Sequence, residues 1–190
     1  MLKTPIRYEI EDHFEVIADV GTINTVGVSN HDVNSNGKSV RLFDPGDELA
    51  VNSNVPQTGV YTLRVWLRSG NVVGLSTFWP NGYIFSLPEM GTITFTGDPD
   101  TEEGPFNAFG TTYWGFMEAE VDFSSPGSKS LHITSNQGHA IVDMLEVISM
   151  ETPPPPPANP SGITATLISG EVQLIWSDNS GNEEGFILER

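Results

Sequence analysis

Five consecutive prolines, Pro153–Pro157, interrupt this 190-residue chain near its C-terminal end. A proline run favours stiff, extended polyproline II and cannot continue a sheet, so it acts as a spacer. The sequence therefore predicts a complete domain over residues 1–150, a proline-rich linker over 151–161 and an incomplete domain over 162–190. Modules joined by a proline spacer are typical of secreted multidomain proteins, which favours a binding module over a compact enzyme.

Short strands joined by tight turns account for the sequence before the prolines. Side chains alternate with a period of two along Tyr61–Arg68 and along Met117–Phe123, and no long stretch has helical periodicity. The chain also contains 19 glycines and 14 prolines, which suit frequent turns. These features predict an all-β fold, a jelly-roll β-sandwich. Two stretches, Thr22–Asn36 and Asp98–Thr112, are predicted to be long loops.

The charge balance limits the partners that such a chain can bind. Twenty-five acidic residues against eight basic ones give a net charge of −17. A chain this acidic repels nucleic acid, and it disfavours anionic polysaccharides unless cations bridge the two. It has no cysteine for a disulfide, no apolar run long enough to insert in a membrane and no recognisable signal peptide. We expect a monomeric module within a larger chain, secreted or at a bacterial cell surface.

Three carboxylates form a candidate metal site. Glu9 and Glu11 fall in the predicted strand Ile6–Glu11, and in a strand both would project from the same face. Asp143 interrupts the apolar run Ile141–Ile148, where a carboxylate needs a partner. If the first and last strands are neighbours, as in jelly rolls, the three carboxylates meet. Calcium (Ca²⁺) is the natural cation for such an all-oxygen site, whereas a solvated edge strand, with Asp143 paired to an arginine, is the alternative.

Several segments together resemble a known family. The Glu-x-Glu strand is followed by Gly46–Leu49, by a Gly-x-Tyr-x-x-x-Val-x-x-Arg strand at Gly59–Arg68 and by Asp143–Leu145. In this order they are similar to carbohydrate-binding modules of families six and thirty-five, which are galactose-binding-like jelly rolls. The resemblance implies that the opening glutamates and the closing aspartate hold a structural calcium, and that the module binds a polysaccharide or oligosaccharide.

The residues after the linker resemble a different family. Ser161–Ala165 leads into an alternating run with Trp176, followed by the stretch WSDNSGNEEGF. This pattern is similar to the opening strands of a fibronectin type III domain, in which Trp176 would anchor the core. The remaining strands of such a domain do not follow, so we expect this segment to be partly ordered.

Aromatic side chains are the candidates for sugar recognition, which needs a flat apolar face beside amide or carboxylate groups. The resemblance implies that Trp114 stacks on the sugar. It also implies an asparagine just before the closing aspartate, where this chain has Ile141, so the nearest amides are Asn136 and Gln137. Each aromatic is also compatible with core packing. The candidate ligand-binding residues are Trp114, Tyr113, Trp79, Tyr83 and Asn136.

No catalytic pattern emerges from the sequence. The histidines are scattered, and there is no nucleophile elbow, phosphate-binding loop or dinucleotide fingerprint. We therefore predict a non-catalytic, calcium-stabilised module that targets a larger secreted protein to a polysaccharide. This leaves open whether the parent protein contains a glycoside hydrolase or polysaccharide lyase elsewhere. An adhesive or spacer module of a bacterial surface protein, without sugar specificity, is the alternative.

Overall fold

The described residues form two compact units. The computed structural model describes residues 4–21, 24–30, 34–71, 78–105, 111–150, 157–181, 185 and 187. One unit lies within Leu2–Glu151 and the other within Thr152–Arg190. Within the described parts, no helix has the length and apolar character of a membrane-crossing segment.

The larger unit contains two antiparallel sheets. The first sheet comprises β1 (Ile6–Glu9), β3 (Gly27–Asn30), β4 (Lys38–Leu42), β6 (Gly59–Asn71), β9 (Thr96–Pro105), β10 (Thr111–Phe123) and β12 (Ala140–Ser149). The second sheet comprises β2 (Phe14–Ala18), β5 (Glu48–Val55), β7 (Tyr83–Leu87), β8 (Gly91–Ile93) and β11 (Gly127–Ser135). The strand order of the first sheet is β3-β4-β12-β6-β10-β9, and β1 also pairs with β12. The strand order of the second sheet is β2-β5-β11-β7-β8. These crossovers between sheets confirm the predicted all-β jelly-roll β-sandwich.

One hydrophobic core lies between the two sheets. Leu63 and Val65 of β6 meet Val51 of β5 and Ile133 of β11 in this cluster, and all four are at most 2% exposed. The alternate residues of β6 face outward, where Arg64 pairs with a glutamate of β10 at 2.8 Å. The period-two pattern therefore places Leu63 and Val65 inside and Arg64 outside.

Two predicted loops contain regular structure. The stretch Asp98–Thr112 was wrongly predicted as a loop, because β9 extends to Pro105 and β10 begins at Thr111, and pairing with β10 satisfies the backbone of β9. The other stretch, Thr22–Asn36, contains β3 and the start of a 3-10 turn, Ser35–Gly37. Residues 22–23, 31–33 and 106–110 of these stretches lie outside the described part of the chain.

The smaller unit contains a hairpin of β13 (Ser161–Ile168) and β14 (Glu171–Ser177). Leu167 lies opposite Val172, and both are exposed, at 72% and 67%. A two-stranded hairpin with an uncovered apolar face is marginal in water by itself. The assignment of this segment to a fibronectin type III domain stays a prediction.

A buried carboxylate holds the connection between β4 and β5. Asp47 is fully buried, and its carboxylate accepts hydrogen bonds from the backbone N–H groups of Phe43 and Asp44 at 2.8 Å and of Val20 at 3.0 Å. Its own carbonyl accepts from the Ser135 N–H at 2.8 Å. The Gly-Asp motif of the sequence therefore fixes three chain segments at one end of the sandwich.

We expect Asp47→Ala to lower the free energy of unfolding by about 3 kcal/mol, because it leaves three backbone donors without their acceptor. Urea denaturation measures the effect. Asp122→Ala removes an exposed carboxylate from β10 and should change the stability by less than about 0.5 kcal/mol. Equal losses for the two variants would contradict the role of Asp47.

Candidate functional site

The seam between the first and last strands of the sandwich contains Asp143. Residues Ala140–Val142 of β12 pair with β4, and from Met144 onward the same edge of β12 pairs with β1, where Met144 lies opposite Glu9. Asp143 falls between the two pairings, at a register shift against β6. The change of neighbour leaves its carboxylate beside the end of β1. The predicted proximity of the first and last strands is therefore confirmed.

Glu11 reaches the seam by a different route from the predicted one. The strand ends at Glu9, and Ile10–His13 form one helical turn, α1. The prediction that Glu9 and Glu11 share a strand face was wrong, because the fully buried Ile10 turns the chain toward the second sheet. The helical turn nevertheless brings Glu11 back to Glu9 and Asp143. Ligand atoms of the three residues all lie within 4.8 Å of one another.

Ser35 joins two of these carboxylates. Its hydroxyl lies between them, donating to Glu9 and lying 3.2 Å from Asp143 Oδ1. Its backbone N–H donates to Asp143 Oδ2 at 3.2 Å. Sequence reasoning missed Ser35. The turn residues Asn34–Gly37 predict a tight turn, but nothing local indicates which carboxylates that turn will meet.

The electrostatics of the cluster are unfavourable without a countercharge. Asp143 is 5% exposed, and burial raises its pKa to about 7. The hydrogen bonds with Ser35 lower this pKa, whereas the nearby carboxylates of Glu9 and Glu11 raise it. Both carboxylate oxygens of Glu11 are buried and have no hydrogen-bond partner among the described residues. An unpartnered buried carboxylate of this kind is costly.

The donor set fits a hard divalent cation. Three carboxylates supply only oxygen ligands, which Ca²⁺ prefers, and one cation would satisfy the oxygens of Glu11 while neutralising two of the negative charges. Glu9, Glu11 and Asp143 would hold it, and such an ion supplies no chemistry beyond binding and charge neutralisation.

The aromatic candidates separate into buried and accessible positions. Trp114 is 2% exposed, so its indole offers no open face to a sugar, and Tyr113 beside it is half-buried at a register shift of β10. Tyr83 is 6% exposed, and its hydroxyl donates to the Arg68 carbonyl at 2.7 Å and accepts from the Ile141 N–H at 3.2 Å. Trp114 is therefore buried, and Tyr83 packs in the core between the sheets.

Trp79 and Asn136 lie at more accessible positions. Trp79 is half-buried, with one side packed on the core, and Asn136 is exposed. The Asn136 side-chain amide donates to the Asn81 carbonyl at 2.8 Å, and its backbone N–H donates to the Gly82 carbonyl at 2.9 Å. The turn that follows Trp79 is therefore fixed to the end of β11.

A groove of about 470 Å³ begins at this turn. Its lining includes Trp79, Asn81 and exposed threonines of the β8–β9 segment, among them Thr92 and Thr94. Its floor includes Phe85 and Phe95, whose rings stack with centroids 4.1 Å apart. Of the predicted ligand residues, the groove brings together Trp79 and Tyr83, and its lining does not include Tyr113, Trp114 or Asn136.

Comparison with solved structures returns carbohydrate-binding modules. The C-terminal CBM6 of the marine laminarinase LamC from Zobellia galactanivorans is 16% identical with a TM-score of 0.49, over 77% of this chain and 100% of that one. A family 35 carbohydrate-binding module from Clostridium thermocellum is 18% identical with a TM-score of 0.48, over 76% and 98%.

A larger enzyme also matches. A Paenibacillus cycloisomaltooligosaccharide glucanotransferase is 17% identical with a TM-score of 0.47, over 75% of this chain but only 18% of that one. No protein-family profile matches the sequence, and no curated protein does. At these identities and scores, the function of this chain has to be inferred from its own residues.

Calcium and pH should affect stability through Asp143. We expect calcium to raise the melting temperature of the wild-type protein by about 5 °C or more over that in chelator, and Asp143→Asn to abolish this difference. In chelator, the raised pKa means that folded Asp143 keeps a proton that the unfolded chain has released, so wild-type stability should fall as the pH rises from 5 to 8.

The matched control is Asp122→Asn, which makes the same chemical change at an exposed position. It should keep both the calcium effect and the pH dependence in thermal melts. A wild-type melting temperature that is the same in calcium and in chelator would contradict the metal site.

Proposed function

We propose that this chain is a non-catalytic, calcium-stabilised carbohydrate-binding module that targets a larger secreted protein to a polysaccharide. The observation that supports this most strongly is the groove, in which a half-buried tryptophan lies beside amide and hydroxyl groups. The motifs that resemble carbohydrate-binding modules of families six and thirty-five agree with it.

The groove offers both kinds of contact that a sugar ring needs. The apolar C–H face of a pyranose packs on aromatic rings, and its hydroxyls exchange hydrogen bonds with side chains that donate and accept. Trp79 supplies the first contact, and Asn81, Thr92 and Thr94 supply the second. A site that is half apolar and half hydrogen-bonding suits a glycan better than a purely apolar ligand.

Strand β12 connects the metal cluster with the groove. It places Asp143 at the seam and, two residues earlier, Ile141, whose backbone N–H donates to the Tyr83 hydroxyl. Tyr83 is also a wall of the groove. On this proposal the cation has a structural role, because it holds β12 against β1 and so keeps the groove wall in place.

Affinity electrophoresis of the full chain through gels containing neutral polysaccharides tests the proposed function. We expect one glycan class to retard the wild-type protein in calcium, and Trp79→Ala to weaken that retardation at least tenfold, or about 1.4 kcal/mol. Trp176→Ala, at an exposed position of β14 in the smaller unit, is the matched control and should bind as the wild type does.

Two outcomes would count against the proposal. If no polysaccharide retards a well-folded protein, the adhesive or spacer function is favoured instead. If a glycan binds and Trp79→Ala binds it equally well, the groove is not the site.

A further inference from the structure

The groove differs in charge from the rest of the molecule. Acidic and basic residues make up 17% of the chain, and the net charge is −17. None of the described side chains that line the groove is charged. Its polar lining consists of the Asn81 amide and the hydroxyls of Thr92, Thr94 and Thr96, beside the buried phenol of Tyr83.

From this lining we infer that the groove selects neutral polysaccharides and rejects glycans that bear carboxylates, an inference that rests on the proposed carbohydrate-binding function. Amide and hydroxyl groups both donate and accept hydrogen bonds, so they pair with sugar hydroxyls in either direction. A carboxylate only accepts, and it loses its hydration on entering a groove with an apolar floor. No cation in the described lining compensates for that loss.

The arginine next to the groove wall is already engaged. The backbone carbonyl of Arg68 accepts a hydrogen bond from the Tyr83 hydroxyl. Its guanidinium lies over the Phe78 ring at 4.7 Å, its Nε donates to the Gly70 carbonyl at 3.1 Å, and the residue is 8% exposed. This charge therefore fixes the end of β6 and does not face a ligand.

Two effects act against the binding of anionic glycans, and they differ in their dependence on salt. The net charge of −17 repels a polyanion at long range, but salt screens this repulsion within about 8 Å at physiological ionic strength. The cost of placing a carboxylate against an uncharged lining acts at contact and persists at high salt. Selectivity that survives high salt therefore comes from the groove itself.

The test compares a neutral and an anionic derivative of the same glucan. One pair is hydroxyethylcellulose and carboxymethylcellulose, and a second pair consists of the same two derivatives of a β-1,3-glucan. Retardation of the full chain in calcium is measured at low salt and at about 0.5 M NaCl, where the screening length is about 4 to 5 Å. We expect at least tenfold stronger retardation by a hydroxyethyl derivative at both salt concentrations.

The other outcomes overturn the inference. At high salt, a carboxymethyl derivative could retard the protein as strongly as its hydroxyethyl partner or more strongly, and Trp79→Ala could abolish that retardation. This result overturns the selectivity and leaves carbohydrate binding in place. Loss of that retardation in chelator would assign it to a bridging cation and equally overturn the inference. If neither these derivatives nor any unmodified neutral polysaccharide retards the protein, the proposed function fails, and the inference fails with it.

A single cation added to the groove should change the selectivity. Thr94→Lys places an ammonium at an exposed position of the lining, and we expect it to strengthen retardation by the carboxymethyl derivative at least tenfold relative to the hydroxyethyl one. Thr58→Lys makes the same change of net charge in the exposed turn before β6, outside the described lining, and should leave the ratio unchanged. Equal effects of the two variants would show that net charge alone sets the selectivity and would overturn the role of the lining.

Discussion

Electrostatic repulsion at the seam of the sandwich is the constraint on which the rest of the structure depends. Glu9, Glu11 and Asp143 come together where the first strand joins the last, in surroundings that leave Asp143 almost without solvent. Ser35 donates its backbone N–H to Asp143 and its hydroxyl to Glu9, but these neutral groups cannot neutralise the cluster. A proton on Asp143 or a bound cation would relieve this repulsion, and a cation would also give the oxygens of Glu11 a partner.

Through Asp143, this cluster lies on β12. Strand β12 pairs with β4, β1 and β6, so it is the member of the first sheet on which the other strands converge. Through Ile141 it also contacts Tyr83, which crosses from the second sheet. Because burial raises the pKa of Tyr83, its hydroxyl stays protonated and keeps donating to the backbone. The seam and a wall of the groove are therefore joined by one strand.

Sequence periodicity predicts those parts of this fold in which local pattern and tertiary environment agree. The predicted alternating runs Tyr61–Arg68 and Met117–Phe123 lie within β6 and β10, because alternation matches a sheet with one buried face. Strand β9 was missed, since its Asp, Gly and Pro residues are poor strand formers and its pairing with β10 overrides that preference.

The candidate site was predictable only in part, for a similar reason. Residue type and chain order bring Glu9 and Asp143 together, but the helical turn at Glu11 depends on where Ile10 is buried. Trp114 was predicted to contact sugar from a motif, and nothing in the motif indicates that its indole is covered. Motifs identify the residue types of a site, whereas the exposure of each side chain depends on packing between distant strands. The cation and the glycan stay predictions.

Calorimetric titration of calcium into the metal-free protein at neutral pH tests the central claim most directly. The account predicts one calcium ion bound per chain, with release of a fraction of a proton, because the raised pKa of about 7 leaves Asp143 partly protonated when no metal is bound. It also predicts that Glu11→Gln, which alters the carboxylate with no other partner among the described residues, weakens this binding at least tenfold. Absence of calcium binding to the folded wild-type protein, or equal binding by Glu11→Gln, would contradict the claim that a cation holds the seam.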